Sequence, residues 1–113
     1  MDVHLKANLF DIQTAISEIY SFFEQAPKRF DEYQRNLMLR RAIERNIGII
    51  GEATNRIVKE HPEITITSSR SIIATRNRVI HDYAVVMDDV MWKIVINDLP
   101  KLKEEVDVLM AEQ

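Results

Sequence analysis

The sequence predicts an all-α fold, an up-and-down bundle of four to five helices. Only two glycines and three prolines occur in 113 residues, so turn material is scarce and the elements should be few and long. Apolar residues recur at helical spacing over most of the chain. The alternation of apolar and polar residues typical of a strand occurs only at Ile64-Thr65-Ile66-Thr67, and the sequence shows no second strand that could pair with it. The length predicts one domain, residues 1–113.

The first predicted helix runs from Val3 to Glu24 and ends before Pro27. Its apolar residues follow one another at alternating steps of four and three: Leu5, Leu9, Ile12, Ile16, Ile19 and Phe23. This spacing predicts a helix with a single buried stripe.

A second, longer helix is predicted from an N-cap at Asp31 to about Glu60, closed by His61-Pro62. Gly48 and Gly51 lie inside it, where each glycine costs about 1 kcal/mol relative to alanine. We therefore expect another helix to approach closely here, either from the same chain or from a second copy.

The remaining helices follow from shorter patterns. A third begins near Ser68 or Ser69, and a fourth is capped by Asp88 or Asp89. Pro100 either kinks that helix or lies in the first turn of a fifth. The apolar stripe then continues to the C-terminus through Leu102, Val106 and Leu109.

Composition excludes several classes of protein. Apolar residues make up 46% and charged residues 29%, which is typical of a soluble globular domain. The absence of cysteine excludes disulfides and thiolate metal sites. No metal site or cofactor is expected, because adjacent carboxylates diverge on a helix and no glycine-rich phosphate loop occurs. No segment is apolar enough to span a membrane and no signal peptide is visible, so a cytoplasmic location is expected.

Charge is distributed unevenly along the chain. The net charge is −3, yet residues 28–81 hold eleven Lys and Arg against six Asp and Glu, including all nine arginines. The rest of the chain holds four against twelve. One basic face could bind a polyanion. Alternatively, these arginines pair with nearby glutamates on solvated helix faces.

The densest group of chemically active residues is Thr75–Tyr83, "TRNRVIHDY". His81 can take and give protons near neutral pH, and Arg76 presents a charged fork that fits phosphate oxygens. Asn77 can orient an imidazole, and Tyr83 can donate a proton, bind phosphate or stack on a base. Together they suit metal-independent cleavage of RNA. The other histidines, His4 and His61, have no such companions in the sequence.

Helical geometry complicates this assignment. Arg76 and His81 are five residues apart, about 140° around a helix, so they would not converge on one small target. Either the helix ends near His81 and the chain turns, or two copies combine their residues across a two-fold axis. A simpler alternative is that His81 forms only a surface ion pair with Asp82.

At "RNRVIHDY" the sequence resembles the HepT-like toxins of the HEPN superfamily, whose signature is Arg, a polar residue, a few further residues, His, any residue and Tyr. The resemblance extends to "RNIGIIGEATNRI", "HPEI" and "VMWKIVINDLPKLKEEV", and so covers most of the chain. Relatives often have glycine at the position of Asp82 and an aromatic residue at that of Ala84.

The resemblance implies an all-helical homodimer that acts as a metal-independent endoribonuclease toxin. Arg76 and His81 would be catalytic, Asn77 would support the site, and Arg78 is a candidate for binding the RNA backbone. The antitoxin would be a minimal nucleotidyltransferase that transfers AMP to Tyr83. Two other hypotheses stay open: a non-catalytic dimer that docks a nucleotidyltransferase, and a structural oligomer in which the motif forms ion pairs.

Overall fold

The computed structural model describes residues 2–81 and 88–113, with side-chain positions for residues 2–77 and 88–113. These residues form five helical segments: α1 (Val3–Phe22), α2 (Phe30–Arg35), α3 (Leu37–Glu60), α4 (Ser69–His81), and a continuous segment of α5 (Asp88–Lys93), a π-helical stretch (Ile94–Asp98) and α6 (Leu99–Ala111). The prediction of an all-α fold is confirmed. None of the helices in these two ranges combines the length and apolar character needed to cross a membrane.

Helix α1 begins and ends close to its predicted limits. The Asp2 carboxylate accepts hydrogen bonds from the backbone N–H groups of His4 (2.9 Å) and Leu5 (3.1 Å), which caps the first turn. The predicted stripe is buried over most of its length, while its last residue, Phe23, lies just beyond the helix and is partly buried.

The prediction of one helix from Asp31 to Glu60 is wrong, because the chain breaks at Asn36. Asn36 has an extended backbone (φ −102°, ψ 95°), and its side chain accepts a hydrogen bond from the Leu39 N–H at 3.0 Å. An asparagine side chain that caps a following helix competes with continuation of the preceding one. Asp31 is not a cap: it lies within α2 and pairs with Arg29 at 2.7 Å.

Pro100 lies in the first turn of α6, the second of the two predicted alternatives. Proline has no N–H and cannot continue an α-helical hydrogen-bond ladder. The preceding residues adopt a π-helix, in which the Leu99 N–H reaches back five residues to the Ile94 carbonyl. The prediction that Asp88 or Asp89 caps a helix is wrong, because both aspartates lie inside α5 and form its acidic first turn.

The centre of the bundle is α3, which packs against α1, α2, α4 and α5, while α6 packs against α1. The strand-like residues 64–67 form a connector of turns without strand structure. Glu105 of α6 holds this connector by accepting hydrogen bonds from the Thr67 hydroxyl (2.7 Å) and the Thr67 N–H (3.1 Å). The fully buried core includes Leu9, Ile12, Ile16, Ile19, Ile43, Ile47, Ile50, Ile57, Ile72, Met91, Ile94, Val95, Leu99, Leu102 and Val106.

A cluster of aromatic rings joins the end of α1 to α2 and α5. The Trp92 ring lies 5.2 Å from the Tyr33 ring, 5.9 Å from Phe23 and 6.1 Å from Phe30, measured between centroids. The Phe23–Trp92 pair is edge-on, an arrangement favoured by aromatic quadrupoles. This cluster packs α5, through Trp92, against α2 and the end of α1.

Candidate active site

Helix α4 carries the first part of the predicted site and packs against α3. Its inner face is anchored by Ile72 and Thr75, both buried, and the Thr75 hydroxyl donates a hydrogen bond to the Ser71 carbonyl at 2.9 Å. A threonine that bonds within its own helix can be buried without an unsatisfied hydroxyl. Burial of Ile72 and Thr75 shows which side of α4 faces the core, and so which of its residues face outward.

The structure places Arg76 at the boundary between the core and the surface. Its side chain is half-buried, and its Nε atom is buried with no hydrogen-bond partner among the described residues. Asn77, the next residue, is exposed. Arg78 and His81 are part of the α4 backbone, but their side chains lie outside the described part, as does the whole of Tyr83.

Helix α4 runs without interruption to His81, so the chain does not turn between the two predicted catalytic residues. The register of one helix therefore separates positions 76 and 81 by about 140°. Positions 77 and 81 are one turn apart and share a side. Whether the helix ends near His81 and the chain then turns, the first of the two alternatives raised by the spacing, depends on residues 82–87, which lie outside the described part.

The closest contact between α3 and α4 is at Gly51 and Arg76. A Cβ atom added at Gly51 would overlap the Arg76 Cβ and would lie 2.9 Å from its Cγ and 3.1 Å from the Ile72 carbonyl oxygen. The predicted close approach of a helix is thus confirmed within the chain for Gly51. Gly48 differs, because a Cβ there would have no described atom within 4 Å.

Local pairing explains part of the charge pattern, since four of the nine arginines pair with a nearby carboxylate. These ion pairs join Arg29 to Asp31, Arg35 to Glu32, Arg41 to Glu44 and Arg56 to Glu52. Arg45, Arg70 and Arg76 form no ion pair with any side chain described in residues 2–77 and 88–113. The basic central region therefore presents fewer free guanidinium groups than its composition suggests.

A long-range ion pair that the sequence did not reveal involves the first residue of α5. Arg40 on α3 contacts Asp88 at 3.0 Å, and both side chains are mostly buried. Asp88 directly follows residues 82–87, which include Tyr83. The buried hydroxyl of Tyr33 lies in the same region, where burial first and the charges of Glu44 and Asp88 second raise the pKa of Tyr33.

The expectation that His61 has no companions is wrong. Its Nε2 atom lies 2.7 Å from Asp2 Oδ2 and its Nδ1 atom 3.2 Å from Glu63 Oε2. Burial acts to lower the pKa of His61, but hydrogen bonds to the two carboxylates outweigh it, and the pKa is raised. His61 caps the end of α3 and Asp2 caps the start of α1, so this cluster joins the termini of two helices.

Four grooves of the described surface are not lined by Arg76 or Asn77. One, of about 500 Å³, lies where the end of α1 meets the start of α3, and the others lie beside α6 and α5. Among the side chains described in residues 2–77 and 88–113, no group of three or more His, Asp or Glu is arranged to hold a metal ion.

An α-helical bundle that carries Arg, Asn and His at positions 76, 77 and 81 of one helix has the features of a HEPN-type domain. The family model described as "Ribonuclease HepT-like" matches residues 12–109. The chain belongs to this HepT-like family.

Two relatives cover almost the whole chain. "Putative RNase MJ1380" of Methanocaldococcus jannaschii is 32% identical over 106 residues, which is 93% of this chain and 95% of that protein. "Probable ribonuclease HepT" of Thermococcus cleftensis is 33% identical over 108 residues, which is 92% of this chain and 94% of that protein. No solved structure gives a significant match.

Proposed function

We propose that the protein is a metal-independent endoribonuclease and the toxin of a toxin–antitoxin pair. The observation that carries this proposal is the position of Arg76 at the surface boundary of α4, on the same helix as His81, in a chain of the HepT-like ribonuclease family. The names of the relatives, which refer to ribonucleases, support the reaction class. Such a toxin would act in the cytoplasm, where messenger and transfer RNA are found.

The proposed chemistry is transfer of a phosphodiester within the RNA. His81 accepts the proton of a ribose 2′-hydroxyl, whose oxygen then attacks the adjacent phosphorus. A second protonated histidine gives its proton to the departing 5′-oxygen, which leaves a cyclic phosphate. Arg76 stabilises the negative charge that grows on the phosphorane, Asn77 orients the imidazole, and Arg78 contacts the RNA backbone.

This scheme requires a homodimer. One chain supplies one histidine at the site, whereas acid and base roles need two. The register of α4 separates positions 76 and 81 by about 140°, so a single chain does not aim both residues at one phosphate. A two-fold axis beside α4 would bring two Arg76 and two His81 residues to a shared groove.

The proposed regulation is modification of Tyr83 by a minimal nucleotidyltransferase antitoxin. The Tyr83 hydroxyl would attack the α-phosphorus of ATP, form an AMP ester and release pyrophosphate. The ester adds negative charge and bulk beside a groove that has to accept RNA phosphates, so it repels and blocks the substrate.

The reaction is tested by incubating purified protein with total RNA in EDTA, in parallel with Arg76→Ala and His81→Ala. We expect cleavage by the wild type and a loss of at least 100-fold in each variant. Arg70→Ala, an exposed arginine on the same helix, is the matched control and should cleave within about twofold of the wild type. RNA binding without cleavage would instead favour a non-catalytic binding module.

The regulation is tested by incubating the protein with a minimal nucleotidyltransferase and ATP that is radioactive at the α-phosphorus, the one phosphorus that AMP transfer retains. Tyr83→Phe should abolish labelling, and Tyr20→Phe, which removes a half-buried tyrosine hydroxyl on α1, should not. Labelling that persists in Tyr83→Phe would place the modified residue elsewhere.

A further inference from the structure

We propose that Gly51 on α3 is the positioning residue for Arg76, because it lets the stem of that arginine lie directly against the α3 backbone. The role assigned to Gly51 rests on the proposed ribonuclease function, in which Arg76 contacts the scissile phosphate. The structural contact itself does not depend on that function.

The atoms of α4 closest to Gly51 are a backbone carbonyl oxygen and the first two carbons of the Arg76 side chain. A Cβ at Gly51 would overlap the Arg76 Cβ and crowd its Cγ at 2.9 Å and the Ile72 carbonyl oxygen at 3.1 Å. The far end of a flexible side chain could move away at little cost, whereas a Cβ and a carbonyl oxygen move only with the helix that carries them. Any larger residue at position 51 must therefore displace α4 or rotate it.

The neighbouring glycine shows that this constraint is local. Gly48 lies one turn earlier on α3, and a Cβ there has no described neighbour within 4 Å. Both glycines weaken the helix by their backbone freedom, but only Gly51 is explained by a contact within the chain. Position 51 is buried and position 48 is half-buried, in agreement with this difference.

The contact also limits where the Arg76 guanidinium can lie, because it fixes the first atoms of the side chain. The Cβ and Cγ atoms are fixed against Gly51, and the Nε atom is buried without a hydrogen-bond partner among the described residues. No described ion pair holds the charged end, so packing of the stem against α3 orients it. Displacement of a catalytic group by about 1 Å can reduce a rate by about 100-fold.

The contact between Gly51 and Arg76 is tested first by urea unfolding, a measurement that does not depend on ribonuclease activity. Gly51→Ala should lower the urea midpoint of unfolding in the wild-type background. In the Arg76→Gly background, where the opposing Cβ is absent, the same change should lower it less or raise it. Gly48→Ala should raise the midpoint in both backgrounds, because alanine favours the helix. Equal losses from Gly51→Ala in the two backgrounds would overturn the contact.

The positioning role is tested by single-turnover RNA cleavage at a temperature where circular dichroism shows every variant fully folded. We expect Gly51→Ala to lower the cleavage rate at saturating protein by about 10- to 100-fold, with the concentration for half-saturation changed by less than about threefold. Gly48→Ala should stay within about twofold of the wild type. A Gly51→Ala rate within threefold of the wild type, or an equal loss in Gly48→Ala, would overturn the role.

These outcomes separate failure of the inference from failure of the proposed function. If the wild type cleaves RNA and Gly51→Ala cleaves equally well, Gly51 does not position Arg76 although the ribonuclease stands. If wild type and Arg76→Ala are equally inactive, the ribonuclease proposal fails and the positioning role fails with it, while the stability comparison still decides whether the contact exists.

Discussion

Arg40 Nη2 lies 3.0 Å from Asp88 Oδ1, and this ion pair joins the first turn of α3 to the first residue of α5. The exposed fractions of the two side chains are 25% and 18%, so water screens the pair only partly. The Arg40 Nε atom has no hydrogen-bond partner among the described residues. The two charges are therefore largely removed from water, and the Arg40 guanidinium depends mainly on Asp88 for its polar contacts.

Arg40→Ala should destabilise the fold by about 1–3 kcal/mol, because it leaves the Asp88 carboxylate partly buried and unpaired. The free energy of unfolding in urea measures this. Arg41→Ala is the matched control: Arg41 is exposed and pairs with Glu44 within α3, and its removal should cost less than about 1 kcal/mol. A double-mutant cycle with Asp88→Asn that gives no coupling would contradict the assignment.

Asn36→Ala should cost about 0.5–2 kcal/mol, since it removes the side-chain acceptor for the Leu39 N–H at the start of α3. Asn36→Asp keeps an acceptor and should remain close to the wild type in thermal and urea unfolding. If alanine and aspartate were equally tolerated, the break between α2 and α3 would not depend on the cap.

The contribution of His61 to stability should decrease as pH rises. The raised pKa of His61 means that the folded protein binds its proton more tightly than the unfolded chain does, for which the pKa is about 6.5. The stabilisation is therefore complete below pH 6.5 and is lost as pH rises through the higher pKa of the folded state. His61→Gln should remove this part of the pH dependence.

The contribution of Asp2 to folding stability should decrease as pH falls, opposite to that of His61. The hydrogen bond from the Leu5 N–H is the largest cause that lowers the pKa of Asp2, and His61 lowers it further. This contribution is present above about pH 3.8 and is lost as pH falls through the lower pKa of the folded state. Urea unfolding at several pH values compares the wild type with Asp2→Asn, His61→Gln and the exposed control His4→Gln. An unchanged profile in His61→Gln would refute the cluster's role.

Residue spacing along the chain correctly predicted those helices whose limits depend on neighbouring residues. The steps of four and three residues in α1 predicted that helix, and the predicted start of α4 near Ser68 or Ser69 was confirmed at Ser69. The break at Asn36 was missed because apolar residues on both sides keep a helical spacing across it. One capping side chain decided the outcome there, not the periodicity of its neighbours.

The site could be predicted only in part, for a different reason. The sequence placed Arg76, Asn77 and His81 on one helix and expected a close approach at Gly51, but it could not say which helix would approach. The Arg40–Asp88 pair joins residues 48 positions apart, and the His61–Asp2 contact joins residues 59 apart. Such contacts depend on how helices pack, which no local spacing encodes.

The central claim is that one catalytic groove needs both protomers, because each supplies one of the two His81 side chains. Equal amounts of wild type and His81→Ala are mixed, unfolded and refolded together, with the same amount of wild type refolded alone in parallel, and RNA cleavage is measured in EDTA. We predict about half the cleavage of the wild type refolded alone, because about half of the wild-type chains then lie in mixed dimers that hold a single His81. If cleavage equals that of the wild type refolded alone, one histidine suffices and the account is contradicted.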